Sequence, residues 1–188
     1  MKKNFLYIAA AAVLGFSSCV ELDRYPLEEL SDASFWKSPT DAEMAVSDLY
    51  PSLPSIYDVD DAINSDDAVH GIKWAAGNVS KGIYDPLDMS WSGTYAVIRQ
   101  ANLILSKIDD IPNYNQEEKN KVLGQTYFFR AFHYFDLIRT FGDVPYIDKP
   151  LTLADQEGIT RTARAEVYTK MMADFDKAIE YLPVTWDG

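Results

Sequence analysis

Apolar side chains recur along much of this chain at steps of three and four residues, the spacing of one face of an α-helix. The first run follows Ser-Pro-Thr-Asp at positions 38–41, which places proline and an acidic residue in the first helical turn. It continues through Ala42, Ala45, Val46, Leu49 and Tyr50. Because Pro51 and Pro54 interrupt the run, the pattern predicts one short helix that ends near residue 50.

Two longer helices are predicted further on, over residues 91–108 and 116–141. The first carries one apolar stripe in which Asn102 is the lone polar member. The second has an apolar stripe wide enough to be covered on two sides. Asn115 gives it a start that resembles a capping box, and Gly142 ends it with a residue that tolerates positive φ.

A third long helix is predicted over residues 163–182, with Thr162 as its N-cap and Pro183 after its end. Its expected inward positions are Val167, Tyr168, Met171, Met172, Phe175, Ala178, Ile179 and Leu182. No alternating pattern of useful strand length occurs. The prediction is therefore an all-α fold of helical hairpins, as in tetratricopeptide repeats, in which each hairpin buries a face against the next. The helix over 163–182 is expected to open a second hairpin whose partner would lie beyond residue 188.

Residues 55–90 lack a regular period and predict a long loop, with room for one short helix. Acidic clusters, glycines and aromatic residues follow one another there. Loops of this length are uncommon inside compact domains and are frequently functional. We therefore expect candidate binding residues in this segment.

The N-terminus has the features of a lipoprotein signal peptide. Two lysines precede an apolar run at residues 5–16, and small residues stand at 17 and 18, just before Cys19. The run is too short to cross a bilayer, which takes roughly 20 apolar residues. We expect residues 1–18 to be removed and Cys19, the only cysteine, to carry the lipid. The alternative is an ordinary secreted protein with one unpaired thiol.

Charge and composition narrow the choice of partners. The net charge is −12, and removal of residues 1–18 takes two lysines with it and leaves −14. Such a surface repels nucleic acid and anionic lipid and suits a neutral ligand better. A hydrophobic content of 47% with 13% aromatic residues excludes a disordered chain. Acylation of Cys19 would leave no thiol for a disulfide, a redox motif or a cysteine metal site.

Three ordered motifs resemble the SusD/RagB family. They are WSGTYAVIRQANLIL at 91–105, GQTYFFRAFHYFDLIRTFGDVPY at 124–146, and RTARAEVY with DFDKAIEYLP within 161–183. The resemblance implies residues 1–18 as signal peptide and 19–188 as the N-terminal part of a SusD-like helical domain, an incomplete SusD-like fold. Gln125 departs from the family's usual Glu. We expect Arg130 and Asn102 to bind loop carbonyls or carboxylates and so to dock the helices.

The resemblance implies a surface lipoprotein of the outer membrane that binds a glycan or other nutrient and delivers it to a SusC-type TonB-dependent transporter. Glycan binding needs flat aromatic faces beside groups that bond hydroxyls. The candidates are Trp74, Asn78 and Tyr84 in the long loop, together with Asp66 and Asp67. Packing of the loop is the alternative interpretation for Trp74.

An enzyme and a metal protein are both disfavoured. His70 and His133 are far apart and lack metal-ligand spacing, and Asp66 with Asp67 is more typical of a solvated or calcium-coordinating loop than of a catalytic pair. No catalytic residue, metal or cofactor is predicted beyond the lipid on Cys19. The alternative function is a helical-repeat scaffold that joins proteins at the cell surface without binding saccharide.

Overall fold

Four α-helices carry the fold, and their bounds match the sequence prediction closely. The structure, a computed structural model, describes residues 35–54, 82 and 90–186. Within them the helices are α1 (Pro39–Ser47), α2 (Ser92–Lys107), α3 (Gln116–Phe141) and α4 (Arg164–Tyr181). Short 3₁₀ turns occupy Tyr50–Ser52, Ile108–Asp110 and Ala154–Gln156. In this described part the only β-type pairing is an isolated antiparallel bridge between Val144 and Thr162, so the all-α prediction is confirmed.

Helix α3 is the central element, because it packs extensively against α4 and also against α2 and α1. All four helices belong to one compact unit, Trp36–Gly188. The core cluster contains Ile98, Ala131, Tyr134, Leu137, Ile138, Val144, Val167 and Met171. Burial of each large apolar side chain contributes about 1.5–3 kcal/mol. The predicted pairing of α2 with α3, through the short connection 108–115, is confirmed as a helical hairpin.

Local signals explain where α1 begins and where α3 begins and ends. The Asp41 carboxylate accepts a hydrogen bond of 2.8 Å from the Ser38 amide and so caps α1. The Asn115 side chain accepts from the Glu117 and Glu118 amides, at 2.9 and 3.3 Å, and caps α3. Gly142 ends α3 with a φ of +69°, a conformation that glycine adopts without a steric penalty.

The predicted N-cap of α4 is wrong. Thr162 pairs with Val144 through two backbone hydrogen bonds of 2.9 and 3.2 Å, and α4 follows from Ala163 without a capping side chain of its own. The Asp143 carboxylate takes that role from across the loop by accepting a 2.8 Å hydrogen bond from the Arg164 amide. A distant residue therefore replaces the local cap.

Helix α4 buries a narrower face than predicted. Val167, Met171, Asp174 and Ala178 are buried, at the helical spacing that faces α3. Three positions expected inside are exposed instead: Tyr168 at 53%, Met172 at 38% and Ile179 at 77%. They lie on a flank of the helix beside the buried face, where no described element covers them. Ile179 borders a groove of about 400 Å³ that is otherwise lined by Phe128, Phe175, Ala178, Leu182, Pro183 and Val184.

Candidate functional site

A buried ion pair joins α3 to α4 at the centre of the fold. Arg130 donates from Nε and Nη2 to the two carboxylate oxygens of Asp174, each at 2.7 Å. The side chains are only 7% and 5% exposed. Burial alone would lower the pKa of Arg130, but the hydrogen bonds and charge of Asp174 more than offset it, so the pKa lies above its usual value.

The same arginine reaches α2 and the loop that follows α3. Its Nη1 donates to Asn102 Oδ1 at 2.8 Å and to the Asp148 carbonyl at 3.4 Å. Asn102 in turn donates from Nδ2 to the Ile147 carbonyl at 2.9 Å. The expectation that Arg130 and Asn102 bind a carboxylate and loop carbonyls is confirmed.

Two tyrosines complete the attachment of this loop. The Tyr134 hydroxyl donates to the Ile147 carbonyl at 2.8 Å and accepts from the Ile147 amide at 2.7 Å. The Tyr95 hydroxyl donates to the Pro145 carbonyl at 2.7 Å. Burial raises the pKa of Tyr95 to about 12 and that of Tyr134 further, so both phenols remain protonated donors at neutral pH.

Arg161 ties the far end of the loop to its beginning and to Trp91, just before α2. Arg161 donates from Nη1 to the Asp143 carbonyl at 2.7 Å, and its guanidinium lies 5.0 Å from the ring centre of Trp91. Trp91 also packs against Phe141, so it lies at the edge of the core. Residues 143–162 are therefore fixed by side chains from α2 and α3, although they contain only one short 3₁₀ turn.

This fixed loop forms one wall of a pocket of about 230 Å³, and α2 forms the other. The lining comprises three aliphatic side chains, one aromatic ring and three long polar side chains: Ile98, Ile147, Leu151, Tyr95, Arg99, Lys149 and Gln156. Lys149 binds Asp155 at 2.7 Å, and Asp155 also accepts from the Thr152 amide and hydroxyl at 2.9 and 2.6 Å. The rim of the pocket is thus held in place by its own hydrogen bonds.

His133 connects α3 with the turn after α1. Its Nε2 lies 2.8 Å from Ser52 Oγ, and the same hydroxyl donates to the Leu49 carbonyl. Burial lowers the pKa of His133, with an opposing contribution from the charge of Asp136. His133 thus bonds a serine on a distant segment, while Asp136 accepts from Arg139.

Gln125, which stands where the resemblance implies a Glu, makes two side-chain hydrogen bonds. Gln125 accepts a hydrogen bond from the Tyr50 hydroxyl and donates to the Lys121 carbonyl at 2.9 Å. The ring of Tyr50 packs edge-on against Phe129, with 4.9 Å between ring centres. An uncharged amide at 125 thus joins the turn after α1 to α3 without an ion pair.

The predicted glycan-binding residues and the lipid-attachment residue lie outside the described residues. These are Trp74, Asn78, Tyr84, Asp66, Asp67 and Cys19. Among the residues that the structure describes, no three His, Cys, Asp or Glu side chains are placed to hold a metal ion. None of the described helices has the length and apolarity needed to cross a membrane.

Sequence reasoning missed the pocket beside α2. Arg99, Lys149 and Gln156 stand at exposed or loop positions that follow no period. One signal was present: Asn102 and Arg130 are polar residues within apolar helix faces, and such residues indicate a loop fastened against those faces. The loop they fasten is the one that closes the pocket.

Comparison with known proteins adds a family match. Residues 36–188 match the family model SusD-like_3, described as "Starch-binding associating with outer membrane". SusD-like protein P2 of Formosa agariphila is 31% identical over 97% of this chain and 39% of its own length. SusD-like protein P38 of the same organism is 29% identical over 96% of this chain and 37% of its own length. The chain thus spans less than two fifths of the length of these relatives.

Solved structures give the same result. A SusD-like protein of Bacteroides fragilis superposes with a TM-score of 0.72 at 26% identity, over 87% of this chain and 34% of the other. A protein described as a laminarin-binding SusD-like protein superposes with a TM-score of 0.69 at 25% identity, over 78% of this chain and 35% of the other. The helical arrangement described above is shared by both.

Proposed function

This chain belongs to the SusD-like family, and from that membership we propose that it is a lipid-anchored, surface-exposed protein that captures oligosaccharide at the outer membrane. We further propose that it delivers the glycan to a SusC-type TonB-dependent transporter and performs no chemistry itself. The observation that carries the proposal is the family match over residues 36–188, whose description joins starch binding to the outer membrane. The laminarin-binding neighbour supports a saccharide as the ligand class.

The physical arrangement suits binding rather than turnover. The helices hold the loop 143–162 through hydrogen bonds from Arg130, Asn102 and Tyr134. Loops held by a rigid scaffold bind ligands with little loss of conformational entropy. We propose that the segment with Trp74, Asn78 and Tyr84, with Asp66 and Asp67 nearby, supplies part of the main glycan site.

Calorimetry on the full chain tests saccharide capture. We expect heat on titration with at least one member of a panel of neutral oligosaccharides that includes β-glucan fragments. Trp74→Ala is expected to weaken that binding, since stacking on a sugar face is lost, whereas Trp186→Ala, which changes an exposed tryptophan near the end of the chain, is a matched control. A folded protein that gives no saccharide-dependent heat with any ligand would favour the surface scaffold instead.

Fractionation of cells tests the anchor. With Cys19→Ser we expect the protein to leave the membrane fraction, because several acyl chains, at about 0.8 kcal/mol per buried CH₂, provide the attachment. Ser18→Ala, which keeps a small residue before the cleavage site, is the matched control and should remain in the membrane fraction. Membrane retention of Cys19→Ser would contradict lipid anchoring.

Affinity purification from outer membranes tests the partner. A tagged copy of the full chain should retain a TonB-dependent transporter as a stoichiometric companion after mild detergent extraction. Recovery of the tagged protein without any transporter would contradict the delivery step and leave capture as the supported part of the proposal.

A further inference from the structure

We propose that the pocket between α2 and the loop 147–156 is a separate binding site for one sugar ring that carries a carboxylate, that is, a uronic acid unit. The inference rests on the proposed function, because a uronic acid is expected as a ligand only of a protein that binds glycans. It assigns a second site, built from described residues, with its own ligand class.

The size of the pocket limits the ligand to about one ring. Its volume is about 230 Å³, below the roughly 300–1,000 Å³ of sites that enclose drug-sized ligands. Tyr95, Ile147 and Leu151 supply an apolar surface of the kind on which the C–H face of a sugar ring packs. Arg99, Lys149 and Gln156 supply long polar side chains that reach sugar hydroxyls.

The pocket is held in shape before any ligand arrives. Tyr95 is fixed at both ends, by its hydrogen bond to the Pro145 carbonyl and by edge-on packing against Trp91 at 5.8 Å. The backbone of Ile147 is held at both its amide and its carbonyl by Tyr134 and Asn102. A site fixed in this way loses little entropy when it binds. The buried network therefore does more than dock helices, because it also sets the pocket wall.

Arg99 determines the preferred charge of the ligand. Lys149 is already paired with Asp155, whereas Arg99 makes no ion pair or hydrogen bond with any residue in the described ranges. Its guanidinium is a planar set of donors that matches a carboxylate with two parallel hydrogen bonds. In a chain of net charge −12, an arginine with no acidic partner among the described residues is a local positive site at the edge of the pocket. The acidic surroundings are largely screened beyond about 8 Å at physiological salt.

Ligand-observed NMR on the full chain tests this inference, with D-glucuronate and D-glucose as the two probes. We expect glucuronate to bind at least about tenfold more tightly than glucose, since a hydrogen bond to a charged group contributes about 1.5–3 kcal/mol. Arg99→Gln should remove that difference. Arg164→Gln, which alters an exposed arginine away from the pocket, should preserve it. Raising the salt concentration should weaken glucuronate binding to the wild-type protein and leave glucose binding unchanged.

Equal affinity for the two probes, or glucuronate binding that Arg99→Gln leaves intact, would overturn the inference. Leu151→Glu provides a second variant, because it places a carboxylate in the pocket and should also abolish glucuronate binding. Failure here is distinguishable from failure of the proposed function. Loss of the pocket in Arg99→Gln should leave binding of neutral oligosaccharide through Trp74 intact. Loss of Trp74 should likewise leave binding of glucuronate through Arg99 intact.

Discussion

The buried pair of Arg130 and Asp174 offers the sharpest test of what holds the hairpin to α4. Replacing Asp174 with Asn keeps the side-chain shape and removes its charge. The guanidinium of Arg130 then stays buried, with its two 2.7 Å hydrogen bonds to a carboxylate lost or weakened. Asn102 and the Asp148 carbonyl remain as uncharged acceptors and cannot neutralise it.

The expected loss follows from the burial of both partners. With side chains only 7% and 5% exposed, Asp174→Asn should lower the free energy of unfolding by about 3–5 kcal/mol, the range found when one member of a buried ion pair is removed. With a urea slope of about 2 kcal/mol/M, the unfolding midpoint should fall by about 2 M. The double change Arg130→Met with Asp174→Leu should recover at least half of the loss, because no buried charge remains.

Urea unfolding followed by circular dichroism measures these shifts. Glu117→Gln is the matched control, since Glu117 pairs with Lys121 on the surface at 3.7 Å and should change the stability by less than about 1 kcal/mol. If Asp174→Asn were no more destabilising than this control, or if the double variant were the less stable of the two, the buried pair would not hold α3 to α4.

Three further changes have defined outcomes. Burial lowers the pKa of His133 below its ordinary 6.5, so the folded state favours the neutral ring. The contribution of His133 to the free energy of unfolding should therefore be complete above pH 6.5 and should decrease as the pH is lowered below that value. His133→Gln should flatten that dependence in urea titrations between pH 7 and pH 5, and an unchanged slope would contradict it. Gly124→Ala should lower the free energy of unfolding by about 1 kcal/mol or more, since the added Cβ would lie 2.7 Å from Leu182 Cγ. Gly93→Ala is the control and should be neutral or stabilising, because nothing lies within 4 Å of its added Cβ. Equal effects of the two changes would refute the clash. The exposed face of α4 should make the 188-residue chain self-associate, and Ile179→Lys should shift it towards monomer in analytical ultracentrifugation; a wild-type chain that is already monomeric would refute this expectation.

The sequence predicts the helices well because their signals are local. Apolar spacing, an asparagine cap and a terminal glycine act within a few residues of one another, and α3 begins and ends where Asn115 and Gly142 indicate. The prediction fails at Thr162, because the Asp143 carboxylate that caps α4 comes from 21 residues away. Local patterns carry no information about such a partner.

The same distinction applies to the candidate site. The sequence indicates that Arg130 needs a carboxylate or carbonyl partner, but not that the partner is Asp174, 44 residues away on another helix. The pocket residue Arg99 gives no signal at all, since it is one exposed position on a helix. Pairings between distant segments appear only once the helices are packed.

Binding of a fluorescently labelled oligosaccharide to intact cells tests the central claim most directly. Cells of the native host that carry the wild-type protein should bind the label at their surface, and cells that lack the gene should not. A complementing Cys19→Ser copy should leave the surface unlabelled. Equal labelling with and without the gene, for every glycan that the host imports, would contradict the proposal that this protein captures glycans outside the cell.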